Sequence, residues 1–257
     1  MQTKNILITI ITILILSSLF IWFNIKKKVA RSAIPNIVTV GTNAEYPPFT
    51  FIKDDKTAGF DIDLTTEIFK RMNQRFEIKD MSWSTLVPSL QLGRIQVIAA
   101  GMTPTPQKAK NVFFTRPYLK GDPLVIISLA KNPPIKTVAQ LTGKTVIVND
   151  GYTADRYMSK IKGLNLQRLQ SPVQGFLSLN SGRADAYVIA KCAATPFLEK
   201  FGRVKFNIIE IPGTEEIYAL AVSKQYPKLL DKIQKILDII KKDGTLQELK
   251  NKWKIKC

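Results

Sequence analysis

Residues that could bind a small polar ligand directly follow three predicted strands. The strands are the apolar runs at 37–40, 95–100 and 144–148, and the polar segments after them are 43–46, 101–103 and 151–153. In open α/β sheets, ligands bind in the crevice outside the carboxyl ends of the strands. Tyr46, stiffened by the two prolines that follow it, is predicted to be exposed there. These features predict a binding cleft.

The chain is poorly equipped for acid–base or metal chemistry. It has no histidine, and its two cysteines, Cys192 and Cys257, are far apart. No pair of carboxylates stands out at the strand ends, and zinc sites need clustered Cys or His ligands. We therefore predict no catalytic residue, no metal and no cofactor. Two free thiols are expected, and one disulfide is the alternative in an oxidising compartment.

The order of elements predicts an α/β fold that is built twice. A helix end, a Gly-Arg turn and a strand start occur at Gly93-Arg94 and again at Gly182-Arg183. The chain would cross into a second lobe near residue 121 and return near 217. We predict lobe 1 at 36–119 plus 217–257 and lobe 2 at 122–214. Two crossing strands would then form a hinge that permits closure around a ligand.

The net charge of +18 comes from 38 Lys and Arg against 20 Asp and Glu. Such a balance attracts polyanions, including anionic membrane surfaces. The bases are spread along the chain and are not clustered with aromatic residues, which is a poor signature of nucleic-acid binding. We interpret the charge as a solubility feature and predict no nucleic-acid partner. An anchored surface protein that binds polyanions is an alternative.

The N-terminal segment contains an apolar run at residues 6–23 that is long enough to cross a membrane. We predict residues 1–32 to be an export signal or an uncleaved membrane anchor, and the rest to be periplasmic or extracytoplasmic. The bases Lys26, Lys27, Lys28 and Arg31 follow the run and oppose export of the C-terminal part. A cytosolic domain held at the membrane is therefore the alternative.

Seven short sequence motifs resemble those of the polar-amino-acid family of solute-binding proteins, the receptors of ABC importers. The motifs are VGTNAEYPPF, GFDIDL, WSTLVPSLQLGRIQVIAAGM, TPQK, FFTRPY, GRADAYV and KKDGTLQELKNKW, and they follow one another in the family's order. YPPF and AAGMTPTP are most similar to arginine- and basic-amino-acid-binding members. The resemblance implies a monomer with a two-lobed, type II periplasmic-binding-protein-like fold, each lobe a mixed sheet flanked by helices. It also implies delivery of an amino acid, arginine being favoured, to an ABC permease.

The resemblance assigns roles in the cleft. Tyr46 and Trp83 occupy positions that sandwich the ligand side chain, and an aromatic face suits a guanidinium. Lys108 falls where the family's TxxR motif carries an arginine that binds the ligand carboxylate. A lysine cannot form the two parallel hydrogen bonds that a guanidinium offers to a carboxylate. Gly101 and Thr103 would contact the ligand's α-amino and carboxylate groups.

The second lobe and two departures complete this assignment. Thr153 matches a residue that donates to the carboxylate, and backbone N–H groups at Gly151 would be open to an anion. Asn43 stands where most relatives have an acid, and Ala190 where most have an Asp that binds the ligand ammonium. Glu45 is the nearest spare carboxylate. An enzyme on the same fold, such as a dehydratase, is the remaining alternative.

Overall fold

The computed structural model describes residues 16–17 and 33–256, and the strands found there form two five-stranded mixed sheets and two small ones. The strands are β1 Ile37–Thr42, β2 Glu45–Tyr46, β3 Thr50–Lys53, β4 Lys56–Ala58, β5 Arg75–Asp80, β6 Val97–Ile98, β7 Phe113–Phe114, β8 Leu119–Asp122, β9 Leu124–Leu129, β10 Thr145–Asn149, β11 Asn165–Leu169, β12 Ala186–Ala190, β13 Phe206–Glu210, β14 Glu216–Tyr218 and β15 Ala221–Val222.

Helices flank both large sheets. They are α1 Phe60–Arg71, α2 Trp83–Gln91, α3 Pro106–Ala109, α4 Thr153–Met158, α5 Pro172–Asn180, α6 Lys191–Phe201, α7 Pro227–Lys242 and α8 Thr245–Lys252, with 3-10 turns at Val138–Leu141 and Arg203–Lys205. Helix α5 begins at Pro172, a residue favoured at the first helical position, and the Ser171 side chain caps it by accepting from the Gln174 N–H.

The two large sheets have the same plan, which confirms the α/β two-lobed fold class. Lobe 1 contains the sheet β5-β1-β6-β15-β7, and lobe 2 contains the sheet β11-β10-β12-β9-β13. In each sheet, the second strand, β1 or β10, runs parallel to both neighbours. The fourth strand, β15 or β9, is antiparallel to the strands on either side of it. The residue boundaries of the lobes stay a prediction.

Strands β8 and β14 pair antiparallel outside both large sheets and connect the lobes. The hydroxyl of Tyr218 on β14 donates to Asp122 on β8 at 2.6 Å and to Glu216 at 3.1 Å. Asp122 also accepts from the backbone N–H of Cys192, at the start of α6. The hinge between the lobes is therefore a buried polar junction, and Glu216 is part of it.

The C-terminal helices correct one local prediction. Helix α7 buries Leu229, Ile233, Leu237 and Ile240 along one face, as its apolar spacing predicts. The sequence Thr-Leu-Gln-Glu after it has the spacing of a capping box with Thr245 as N-cap. The helix instead begins at Thr245 with Gly244 as N-cap, in a left-handed conformation that glycine adopts without strain.

The cysteine prediction is wrong for Cys192, which is disulfide-bonded. The sequence has one other cysteine, Cys257, and it lies outside the described residues.

The predicted export signal or anchor, residues 1–32, lies outside the described residues except for two helical positions, 16 and 17. Across residues 16–17 and 33–256, no helix combines the length and the apolar character that a membrane crossing requires.

Candidate functional site

Three aromatic rings meet in the cleft between the lobes. The ring centroid of Tyr152, from lobe 2, lies 5.5 Å from that of Tyr46 and 4.7 Å from that of Trp83, both from lobe 1. Trp83 is partly buried. We call the space bordered by Tyr46 and Trp83 the aromatic slot, and the phenol of Tyr152 contacts both of these rings.

The predicted exposure of Tyr46 is wrong, since its side chain is only 5% exposed. Pairing of β2 with β3 turns the ring inward, where it stacks on Phe49 with centroids 5.5 Å apart. Gly101 makes this packing possible: it has φ +57, and an added Cβ would lie 2.8 Å from the Tyr46 ring. Gly101 thus shapes one wall of the aromatic slot.

The Tyr152 hydroxyl lies beside two residues singled out in the sequence. It donates to Oδ1 of buried Asn43 at 3.4 Å, while Nδ2 of Asn43 donates to the carbonyl of Met81. Glu45 is exposed, and its charge adds to the effect of burial in raising the pKa of Tyr152. An amide oxygen and a carboxylate are thus both near this end of the aromatic slot.

Lys108 lies over the indole ring of Trp83, with Nζ 5.2 Å from the ring centroid. Nζ also donates to the carbonyl of Thr103 at 3.1 Å. Burial lowers the pKa of Lys108 to about 8, and the nearby charge of Glu216 opposes that shift. Lys108 is therefore a partly desolvated cation in the cleft, where the similarity to the TxxR motif predicted a carboxylate-binding group.

Glu216 is a site residue that sequence reasoning missed. It is 6% exposed, and Oε1 accepts from the Thr103 hydroxyl at 3.1 Å while Oε2 accepts from Tyr218. The side chain of Thr153 in lobe 2 also hydrogen-bonds to it. The available signal was an acid at the start of the strand that returns to lobe 1. Glu216 joins groups from both lobes.

Two small cavities of about 10 Å³ each adjoin Tyr152. One is lined by Tyr46, Trp83, Ala100, Gly101, Thr103, Lys108, Tyr152 and Thr153. The other is lined by Tyr46, Leu124, Asn149, Tyr152, Thr153, Ala154, Val188, Ile189, Ala190 and Glu216. The structure therefore brings six of the nine predicted residues to the first cavity, and it places Glu216 beside Ala190 in the second.

The expected open backbone donors are already bonded within the protein. The N–H of Gly151 donates to Asp155 at 3.1 Å, so it is not open to an anion as predicted. The N–H of Gly101 donates to the buried carboxylate of Asp61 at 2.6 Å, and the Tyr118 hydroxyl donates to the same carboxylate. The backbone N–H groups of Gly101 and Gly151 are thus not free to bind a ligand.

Three buried carboxylates near the hinge make stability depend on pH. Burial raises the pKa of Asp61 to about 6 and that of Asp122 to about 7, and it also raises the pKa of Glu216. Between the unfolded value of 3.8 and these folded values, the folded protein binds more protons than the unfolded chain. The free energy of unfolding must then fall as pH rises.

We expect the protein to be more stable at pH 5 than at pH 7.5 by about 4 kcal/mol, measured by urea unfolding at both values. The variant Asp122→Asn, which keeps hydrogen-bonding atoms but does not titrate, should show a smaller difference. A stability that is constant or rises over this range would contradict the assignment.

The chain is similar in sequence and in fold to known amino-acid-binding proteins. The chain is 28% identical over 219 residues to the probable ABC transporter arginine-binding protein ArtJ of Chlamydia trachomatis serovar D, covering 83% of this chain and 84% of that protein. It is 27% identical to the L-cystine-binding protein TcyA of Bacillus subtilis, covering 91% of this chain and 84% of TcyA. An ancestral arginine-binding protein bound to arginine superposes with a TM-score of 0.81 at 34% identity, covering 86% of this chain and 99% of that one.

The family model described as bacterial extracellular solute-binding proteins, family 3, matches residues 38–256. The match spans both large sheets and the hinge strands, and the relatives named above are binding proteins. The prediction that the chain is not an enzyme is therefore confirmed. The chain belongs to the bacterial extracellular solute-binding proteins of family 3, the family that its sequence motifs resemble.

Proposed function

We propose that the chain binds a polar or basic L-amino acid, arginine being favoured, between its lobes and delivers it to an ABC permease. One observation carries the proposal: Lys108 and Glu216, of opposite charge, lie close enough to shift each other's pKa and share Thr103 as a neighbour. A zwitterion offers the complementary pair of charges. The polar site therefore fits the common part of every amino acid.

The carboxylate of the ligand would bind Lys108 together with the hydroxyl of Thr153. Both residues line the first cavity, and a charged donor forms the stronger kind of hydrogen bond to a carboxylate. The ammonium would bind Glu216 and the hydroxyl of Thr103. Glu216 reaches the cavity that Ala190 lines, so the hinge strand supplies the charge that the side chain of Ala190 lacks.

The side chain of the ligand would enter the aromatic slot. A guanidinium stacks well on the faces of Tyr46 and Trp83 and gains further from the negative charge of Glu45 and the amide oxygen of Asn43. Relatives named as arginine-binding support this choice, while TcyA is named as binding cystine. We propose that the protein acts as a monomer, and that residues 1–32 export it or anchor it in the membrane.

Calorimetry with arginine, lysine, histidine, glutamine and cystine tests the proposal. Arginine should bind most tightly, and it should raise the melting temperature, because a ligand that binds only the folded state stabilises that state. A protein that none of the twenty amino acids or cystine stabilises, but that binds a polyanion with a steep salt dependence, would instead be the anchored polyanion-binding protein.

Trp83→Ala should weaken arginine binding about 30-fold, because a desolvated cation–π contact contributes ~2 kcal/mol. The measurement is the dissociation constant from calorimetry, with circular dichroism as the check that the fold is intact. Trp83→Phe keeps an aromatic face and serves as the matched control, with a loss of less than about fivefold. Unchanged arginine binding in Trp83→Ala would remove Trp83 from the site.

A further inference from the structure

We propose that Tyr152 is a specificity-determining residue that competes with the side chain of the ligand for the aromatic slot. The proposal rests on the proposed function, since it concerns the same site. It adds that the protein supplies its own occupant of the side-chain subsite, and that an amino acid with a long side chain must displace that occupant while one with a short side chain need not.

The position of the phenol is the first argument. Tyr152 follows β10 of lobe 2, but its ring contacts Tyr46 and Trp83 of lobe 1 and its hydroxyl donates to Asn43. The side chain is 8% exposed, so nearly all of its surface is covered by these neighbours and by the rest of the cleft. A guanidinium that stacked on Tyr46 and Trp83 would therefore have to replace the contacts that these two rings make with Tyr152.

The remaining space is the second argument. Each of the two cavities beside Tyr152 has a volume of about 10 Å³. A cavity of that size holds roughly one water molecule. The α-amino and carboxylate groups of any amino acid are larger than either cavity, so the cleft must open for every ligand. A long basic side chain must in addition displace the phenol from Tyr46 and Trp83 to reach the aromatic slot.

The contacts of Tyr152 also connect the lobes. When the phenol lies in the aromatic slot, the Tyr46 and Trp83 contacts favour the closed cleft. A long ligand replaces these contacts with its own, whereas a ligand with a short side chain leaves them in place. The apparent affinity for a long ligand is reduced by the fraction of protein in which the aromatic slot is free. The affinity for a short ligand gains from the same contacts.

The substitution Tyr152→Ala separates a competitor from a wall of the site. For a competitor, calorimetry should show Tyr152→Ala binding arginine about tenfold more tightly than the wild type, and L-alanine no more tightly. Tyr152→Phe keeps the ring and should stay within about threefold of the wild type for both ligands. Tenfold weaker arginine binding in Tyr152→Ala would show that the phenol stacks on the ligand. An equal change in affinity for arginine and L-alanine would show that Tyr152 does not select by side-chain length. Either result overturns the proposal.

A second measurement does not depend on the ligand. Small-angle X-ray scattering of protein dialysed free of amino acids should give a larger radius of gyration for Tyr152→Ala than for the wild type, because the bridge between the lobes is lost. An unchanged radius overturns the proposal even where no amino acid binds any variant. Absence of amino-acid binding with an increased radius would refute the proposed function and support the role of Tyr152 as an occupant of the cleft.

Discussion

Glu216→Gln will weaken arginine binding about 100-fold, a loss of ~3 kcal/mol, because truncating one partner of a buried charge pair costs 2–5 kcal/mol. Glu216 is 6% exposed and accepts from Thr103 and Tyr218, so glutamine can keep part of the hydrogen bonding while losing the charge. Calorimetry at pH 7 measures the loss. The same substitution should weaken the binding of glutamine, since both ligands share the ammonium.

Glu216→Gln should make the folded protein more stable, although it weakens ligand binding. Burial raises the pKa of Glu216, which means that the charged form is disfavoured in the folded protein. The folded-state pKa lies above the unfolded value, so the ionised carboxylate costs stability once the pH exceeds the unfolded value. Glu216→Gln removes that cost, and its melting temperature at pH 7 should be higher than that of the wild type. A damaged fold would instead lower both affinity and melting temperature.

The exposed neighbour Glu215 provides the matched control. Glu215→Gln removes the same formal charge one residue away, and its affinity for arginine should stay within about twofold of the wild type, as surface charges contribute little. Wild-type affinity in Glu216→Gln would place the ligand ammonium elsewhere and would leave the lack of a carboxylate at Ala190 unexplained.

Local signals predicted the residues that follow the strands. The apolar runs and the turn residues after them placed Thr103 and Thr153 at the sheet edge, the family resemblance added Lys108, and the structure brings these three residues to one cavity. The repeated Gly-Arg turn predicted two similar halves, which the two matching sheets confirm. Such features depend on short-range periodicity and on turn chemistry, which a sequence displays directly.

Contacts between distant parts of the chain could not be predicted in this way. Glu216 meets Thr103 across 113 positions, and the Tyr152 hydroxyl meets Asn43 across 109. The carboxylate of Asp61, at the start of α1, accepts from the N–H of Gly101 and the hydroxyl of Tyr118, both far along the chain. The direction of a side chain depends on the packing of whole lobes, so the family's position for the ammonium ligand drew attention to Ala190 and away from the hinge.

Lys108→Met will weaken arginine binding about 30-fold, since a charge-assisted hydrogen bond to the ligand carboxylate contributes ~2 kcal/mol. Methionine keeps the length and packing of the lysine stem beside Trp83 but carries no charge. Lys110, an exposed lysine two residues along the chain, gives the matched control Lys110→Met, which should bind as the wild type does. Equal losses in the two variants would indicate a general effect of net charge on binding and not a contact with Lys108.

The pH dependence of the wild type gives a sharper test of Lys108. Burial lowers the pKa of this lysine to about 8, so the free protein loses the cation as pH rises through that value. Affinity for arginine should fall above pH 8 by up to about tenfold per pH unit. The guanidinium introduced by Lys108→Arg stays protonated over this pH range. In that variant, affinity should decline only because the ammonium of the ligand loses its proton. The difference between the two profiles isolates Lys108, and coincident profiles would mean that its proton plays no part in holding the carboxylate.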